Sequence, residues 1–409
     1  MSRIAIVNFN SGEISPELDA RPDIEKYAGG CRQSDNMIPD VFGNATRRPG
    51  TELIIVGNGY ACYYEAPIAD PVKIQIYTMA DLLLIGNDVS YPLDGDYELM
   101  NNIDMSASAA LNGGQGWKGI GTSYTAGVPT SFTGTFEGNY FTLSNLTIDT
   151  TTLTPYTLAD GGARGLFGML EGATVSNLFI EDMSHTTQGI CGGLVGYVSL
   201  STITNVYVTG TFVFVGTNNN GAGGGMAYAT ESGEANTWTR CGVNINWIAS
   251  GKGHIASGFV GLNGFMNSVS ADIFTDCYAV STITHIGADT VGLTNCSGFI
   301  FQHDASSISC TNCYAAQNTG LLTMLGTHNG GFVGWDQGGT QTYTSCYYNS
   351  DLSLDDESEA VGKTTAQMYA EATFTNWDFD TVWQIDEGSG YPTHQWQKTA
   401  DIKKVCKRI

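Results

Sequence analysis

Apolar and polar positions alternate in short bursts along most of this chain, and the bursts recur. One half of the recurring unit reads Gly165-Leu-Phe-Gly168, Gly193-Leu-Val-Gly196, Gly225-Met-Ala-Tyr228, Gly258-Phe-Val-Gly261, Gly298-Phe-Ile-Phe301 and Gly331-Phe-Val-Gly334. Twelve to eighteen residues later comes the other half: Asn177-Leu-Phe-Ile180, Asn205-Val-Tyr-Val208, Arg240-Cys-Gly-Val243, Asp276-Cys-Tyr-Ala279, Asn312-Cys-Tyr-Ala315 and Ser345-Cys-Tyr-Tyr348. The leading glycines return every 28 to 40 residues, with Gly, Asn, Ser and Thr between the bursts and no helical period. Short strands at such spacing read as successive turns of a solenoid.

Side chains alternate across a strand, so Leu178 and Ile180 share the inner face while Phe179 faces out. Stacked turns then give one inner file of Leu146, Leu178, Val206, Cys241, Cys277, Cys313 and Cys346. A second runs Ile148, Ile180, Val208, Val243, Ala279, Ala315 and Tyr348, with Asn145-Leu-Thr-Ile148 taken as a further second half. Each well-buried Val, Leu or Phe contributes about 1.5–3 kcal/mol. The predicted fold is all-β: a right-handed parallel β-helix with short capping helices and a non-globular N-terminal anchor segment. The units that lose the last glycine, at Tyr228 and Phe301, are expected to be irregular.

Stacked strands have two open ends that need covering. At the front, Thr78–Gly86 has an N-cap residue, an apolar face and a closing glycine, which predicts a short helix. At the back, Thr365–Ala372 predicts a second, leading into Phe374, Trp377, Phe379, Trp383 and Trp396 as a plug for the last turn. The expected divisions are 1–60 attachment segment, 61–362 β-helix, 363–396 cap and 397–409 basic tail.

Composition fits this picture. The 409 residues include 52 glycines and carry a net charge of −23, which argues against nucleic acid as a partner. Residues 60–362 hold five bases against 26 acids. No apolar run is long enough to predict membrane insertion. Of the ten cysteines, only Cys310 and Cys313 are closely spaced, and no second pair completes a zinc framework, so the others read as small buried hydrophobes.

These repeats resemble the GLUG-repeat β-helix proteins of bacterial adhesins and surface proteins over about residues 72–396. Tyr97-Glu-Leu-Met-Asn-Asn-Ile-Asp-Met105, Gly116-Trp-Lys-Gly-Ile-Gly121 and Phe132-Thr-Gly-Thr-Phe-Glu-Gly-Asn139 belong to the likeness. So do Phe374-Thr-Asn-Trp-Asp-Phe379 and the run from Trp383 to Pro392. The resemblance implies the fold and no catalytic constellation.

The first 56 residues are different. Gly12-Glu-Ile-Ser-Pro16, Arg21-Pro-Asp-Ile-Glu-Lys-Tyr27 and Gly43-Asn-Ala-Thr-Arg-Arg-Pro-Gly-Thr51 resemble the N-terminal segment of nozzle or tail-tube proteins from short-tailed bacteriophages. That resemblance implies docking through Glu13, Pro16, Arg21, Asp23, Lys26, Tyr27, Arg47, Arg48 and Pro49. The start also lacks the layout of a secretory signal. Together these features give the expectation of a virion tail appendage, made in the host cytoplasm and assembled as a trimer or hexamer. Its expected partners are phage tail proteins (adaptor or nozzle) and a host surface glycan or receptor.

Site chemistry is sparse. Phe179, Tyr207, Tyr278, Tyr314 and Tyr347 form an outward column, interrupted at Gly242, that would suit sugar faces or a protein neighbour. The acids Glu181, Asp182, Asp272, Asp276, Asp289, Asp304 and Asp336 read mainly as polar turn residues. No general acid and base can be picked among them; the loop holding His303 and Asp304 is the nearest to a candidate. His254, His285 and His328 lack metal-ligand spacing, and Asp351–Glu357 lacks the glycine of a calcium loop. No cofactor or metal is called for. Two alternatives stay open beside the binding role: a tailspike polysaccharide depolymerase and a tail-tube or nozzle ring component.

Overall fold

In the computed structural model, the described residues are 6–8, 51–56, 60–65 and 73–398, except 122–129, 152–162, 216–221, 231–234, 250–254, 264–270, 286–294, 304–306, 320–328, 337 and 354–357. The chain divides into two compact units, Met1–Val72 and Lys73–Ile409. In the first, Ile6–Asn8 and Thr51–Val56 flank Tyr60–Glu65 in an antiparallel three-stranded sheet. Its hairpin crosses the boundary expected at residue 60, because Val56 pairs with Tyr60.

The second unit is a parallel β-solenoid. Six rungs build two six-stranded sheets. The first contains Ala163–Arg164, Ile190–Gly192, Ala222–Gly224, Ile255–Ser257, Asn295–Ser297 and Asn329–Gly330. The second contains Phe167–Glu171, Val195–Ser199, Ala227–Thr230, Val260–Asn263, Ile300–His303 and Val333–Asp336. A long third sheet carries the other half of each unit, including Thr174–Thr187 and Thr202–Phe214.

Register runs straight through the stack. Ile180 pairs with Val208, Val208 with Val243, Val243 with Ala279, and Ala279 with Ala315. Leu178, Val206, Cys241, Cys277 and Cys313 are all fully buried, forming the dry interior file. A second inner stack is aromatic: Phe259, Phe299 and Phe332 succeed one another at 4.8 and 4.7 Å.

The start of both files differs from the expectation. Phe141 and Leu143 pair with Leu178 and Ile180, whereas Ile148 pairs with His185. The cause is a second corner. Asn145 (φ 60°) lies opposite Asp182 (φ 55°), whereas Asn177, Asn205, Arg240, Asp276, Asn312 and Ser345 occupy the first corner at φ between 52 and 54°. An asparagine before an apolar burst marks both corners, because Asn tolerates the left-handed region.

The leading glycine of each unit marks a close approach. A Cβ on Gly225, Gly258 or Gly298 would overlap the carbonyl oxygen of Gly258, Gly298 or Gly331 on the next rung. The rungs with Tyr228 and Phe301 are regular, contrary to expectation: strand pairing continues through both. In the stack each ring is flanked by glycines, Gly196 and Gly261 for Tyr228 and Gly261 and Gly334 for Phe301. A Cβ on Gly334 would press on the Phe301 ring.

The front helix forms at Met79–Leu84, where Thr78 caps the Asp81 N–H and Asp81 answers at the Thr78 N–H. The rear helix, Thr365–Met368, has the same reciprocal cap from Thr364 and Gln367. The aromatic residues beyond it, expected as a plug, run along the flank of the stack instead.

Candidate site: a strapped aromatic column

After the rear helix the chain turns back along the side of the solenoid. Phe374 lies against Tyr347 (5.4 Å), and Trp377 lies near both Tyr347 and Tyr314 (6.1 Å each). Trp383 and His394 sit over Tyr278 at 6.1 and 5.1 Å. Trp396 reaches Phe179 at 4.9 Å and Tyr140 at 6.0 Å. Residues 364–398 therefore form a strap that crosses the rungs lengthwise. The only described strand pairing within it joins Trp383–Gln384 to Thr393–His394.

The expected outward column is thus real but covered. Phe179, Tyr278, Tyr314 and Tyr347 are 7% exposed or less, and Tyr207 is half-buried, so they are not an open binding face. Nor does Gly242 interrupt the column. A Cβ there would meet the Tyr278 ring, which leans across the gap to lie 6.2 Å from Tyr207. Tyr278 and Tyr314 then stack at 5.3 Å and 3°. Burial raises the pKa of Tyr207, Tyr278 and Tyr314.

The strap fixes itself on the left-handed corners. Three indole N–H groups donate there: Trp377 to the Ser345 carbonyl (2.9 Å), Trp383 to the Asp276 carboxylate (3.3 Å) and Trp396 to the Arg240 carbonyl (3.2 Å). His394 Nε2 donates to the Asp276 carbonyl at 2.7 Å. In return, the Tyr314 hydroxyl donates to the Pro392 carbonyl, and Asn349 donates to the Tyr391 hydroxyl. At these corners the N–H groups of Arg240, Asp276 and Asn312 donate to Thr275, Thr311 and Thr344 on the next rung, while the carbonyls of Arg240, Asp276 and Ser345 accept from the strap.

Elsewhere the polar residues are structural. Asp272, expected in a turn, is fully buried and accepts from the backbone and side chain of Asn236, whose own amide oxygen accepts from the Ser201 N–H. The thiols of Cys241, Cys277, Cys313 and Cys346 donate to the carbonyls of Ile203, Trp238, Phe274 and Cys310 on the preceding rung. Burial holds Cys310 up at about 11 and raises Cys241, Cys277 and Cys313 well above the usual thiol range. Asp351 accepts from the Thr365 N–H, so it caps the rear helix.

Among the described residues, no group of three His, Cys, Asp or Glu could hold a metal ion. His303 ends a strand of the second sheet. Asp289, Asp304, His254 and His328 lie outside the described residues, as do the docking residues Glu13, Pro16, Arg21, Asp23, Lys26, Tyr27, Arg47, Arg48 and Pro49. Sequence reasoning missed His394; its signal was the density of aromatic residues around it between 374 and 396.

Fold and site together define a parallel β-solenoid braced by its own C-terminal strap. No family model matches the chain. Over 206 residues, 49% of this chain, it is 32% identical to Halomucin of Haloquadratum walsbyi, and it spans 2% of that protein's length. A candidate immunoglobulin A1 protease from Bacteroides ovatus, solved at 1.30 Å, aligns over 79% of this chain and 92% of its own. Its TM-score is 0.54 and its identity 17%, a likeness of fold.

These neighbours overturn the expected phage tail appendage, together with its depolymerase and tail-ring alternatives. Neither is a virion protein. The tail-like elements occupy only the first 56 residues, whereas the likeness of fold covers 79% of the chain.

Proposed function

We propose that the Lys73–Ile409 unit is a load-bearing spacer module of an extended protein. The observation that carries this reading is the lengthwise brace: the strap ties Tyr347 of the last rung to Phe179 and Tyr140 near the front. Strand hydrogen bonds join each rung only to its neighbours, so a rung at the end could peel alone. The strap makes that peeling require the simultaneous loss of ring contacts and corner hydrogen bonds on several rungs. The 206-residue likeness to a very much longer protein supports a modular role.

Single-molecule pulling on the full chain tests it. A braced module gives one cooperative high-force event, and Trp377→Ala with Trp383→Ala converts this into stepwise release of rungs. Stepwise release in the unaltered chain, or no effect of the double substitution, would contradict the spacer role.

A further inference from the structure

We propose that the strap is an acid-released latch, in which protonation of His394 frees residues 364–398 and uncovers the tyrosine column beneath.

His394 is fully buried, 4.4 Å from Trp383, 5.1 Å from Tyr278 and 5.9 Å from Trp396. Its Nε2 faces the Asp276 carbonyl, which can only accept, so Nε2 carries the hydrogen and Nδ1 is the bare nitrogen. Nδ1 is buried and has no hydrogen-bond partner. A proton arriving there becomes a cation with no acceptor.

The surrounding charges do not rescue it. Arg240, on the preceding corner, opposes a second positive charge. Asp276 Oδ1 accepts from Trp383 Nε1 and Asn312 Nδ2, and it is the Asp276 carbonyl, not its carboxylate, that meets the His394 ring. Tyr278, beneath the ring, is held neutral by burial and bonded to Gln397 of the strap. Burial above all, with Arg240 adding to it, brings the His394 pKa down to about 3; the Asp276 hydrogen bond opposes this.

A released histidine titrates near about 6.5. The docked state binds fewer protons than the released one, so docking is at full strength above that value. It weakens about tenfold per pH unit as the pH falls toward 3. Carboxylates also hold the strap, Asp276 at Trp383 Nε1 and Asp351 at the Thr365 N–H, but ordinary carboxylates titrate near about 4, so weakening that sets in just below about pH 6.5 reports His394.

Hydrogen–deuterium exchange of the full chain at about pH 7.5 and about pH 4.5, corrected for intrinsic rates, reads the latch directly. Strap peptides over 374–398 are expected to lose about a hundredfold protection at the lower pH, and to exchange well ahead of the core strand Val195–Ser199 there. His394→Gln, whose amide can still donate to Asp276, should hold the strap at both. The proposal is overturned if the unaltered strap stays protected at the lower pH, or if His394→Gln releases it at the same pH as the unaltered chain. Should His394→Gln fail to dock at the higher pH, NMR titration of His394 in the unaltered chain decides. Protonation coinciding with strap exchange supports the latch, and opening while His394 is still neutral overturns it.

Discussion

Trp383 and Asp276 stand 107 residues apart in the chain, yet the Trp383 indole N–H donates to the Asp276 carboxylate at 3.3 Å. That contact places the C-terminal segment on the flank of the solenoid rather than over its open end.

Removing Trp383 should therefore loosen the strap and spare the body. The side chain is fully buried, and truncation of a buried Trp costs about 3–5 kcal/mol where the site cannot collapse. For Trp383→Ala, limited proteolysis is expected to cut within 374–398 while the melting temperature of the rungs changes little. Collapse of the whole unit would mean that the solenoid depends on the strap for its own stability.

Gly258→Ala should destabilise the stack by about 1–3 kcal/mol or more, because its Cβ would overlap the Gly298 carbonyl and crowd the Ala279 side chain. Gly390→Ala, where a Cβ meets nothing within 4 Å, should stay within about 0.5 kcal/mol of the parent. Denaturant midpoints separate the two.

Ser345→Asn is expected to stabilise by about 0.5–1 kcal/mol. Ser345 holds φ 52°, a region that asparagine tolerates better, and Trp377 uses only its main-chain oxygen. A new amide there could donate to Asn312, as Asn312 donates to Asp276 on the rung before. A lowered midpoint would show that the corner has no room for the longer side chain.

Stability should decline as the pH falls below about 6.5, ahead of the carboxylate range. Two fully buried histidines, His185 and His394, are held near 3, chiefly by burial. Each is neutral in the folded chain but takes up a proton on unfolding below about 6.5, so each costs up to about 1.4 kcal/mol per pH unit in that window. Asp104 and Asp378, lowered by side-chain hydrogen bonds to Asn145 and Thr381, act only below their ordinary range. Urea unfolding across pH should show the decline, and His185→Gln with His394→Gln should flatten it.

The buried thiols should be chemically silent. Cys191, Cys241, Cys277, Cys296, Cys310, Cys313 and Cys346 are free and buried, so a thiolate reagent should leave them unlabelled until the rungs unfold. Rapid labelling of Cys277 or Cys313 in native buffer would place that file at the surface.

Much of the fold was legible in the sequence. The recurrence of Gly-Leu-x-Gly with a later Asn-x-x-x burst fixes the rungs, the inner files and the outward column, because period-2 alternation dictates which side chains share a face. Both short helices were visible, the front one by its N-cap at Thr78, whereas the reciprocal caps of Thr78 with Asp81 and Thr364 with Gln367 emerge from the structure. Three things were not. Asn145 resembles a first-corner residue but turns the second corner, a distinction only pairing register makes. Tyr228 and Phe301 break the motif, yet glycines on adjacent rungs leave them room, so the compensation is non-local. Trp396 and His394 belong to a segment built of short separate pieces, such as Glu371–Thr373, Trp383–Gln384 and Thr393–His394, and local patterning cannot say which surface such a segment will cover.

The covered column is tested most directly by hydroxyl-radical footprinting of the intact chain at neutral pH. Tyr278 and Tyr314, at 2% and 0% exposure, should resist modification, while Tyr77, at 49%, reacts freely. Equal reactivity of all three would contradict the strap and everything built on it.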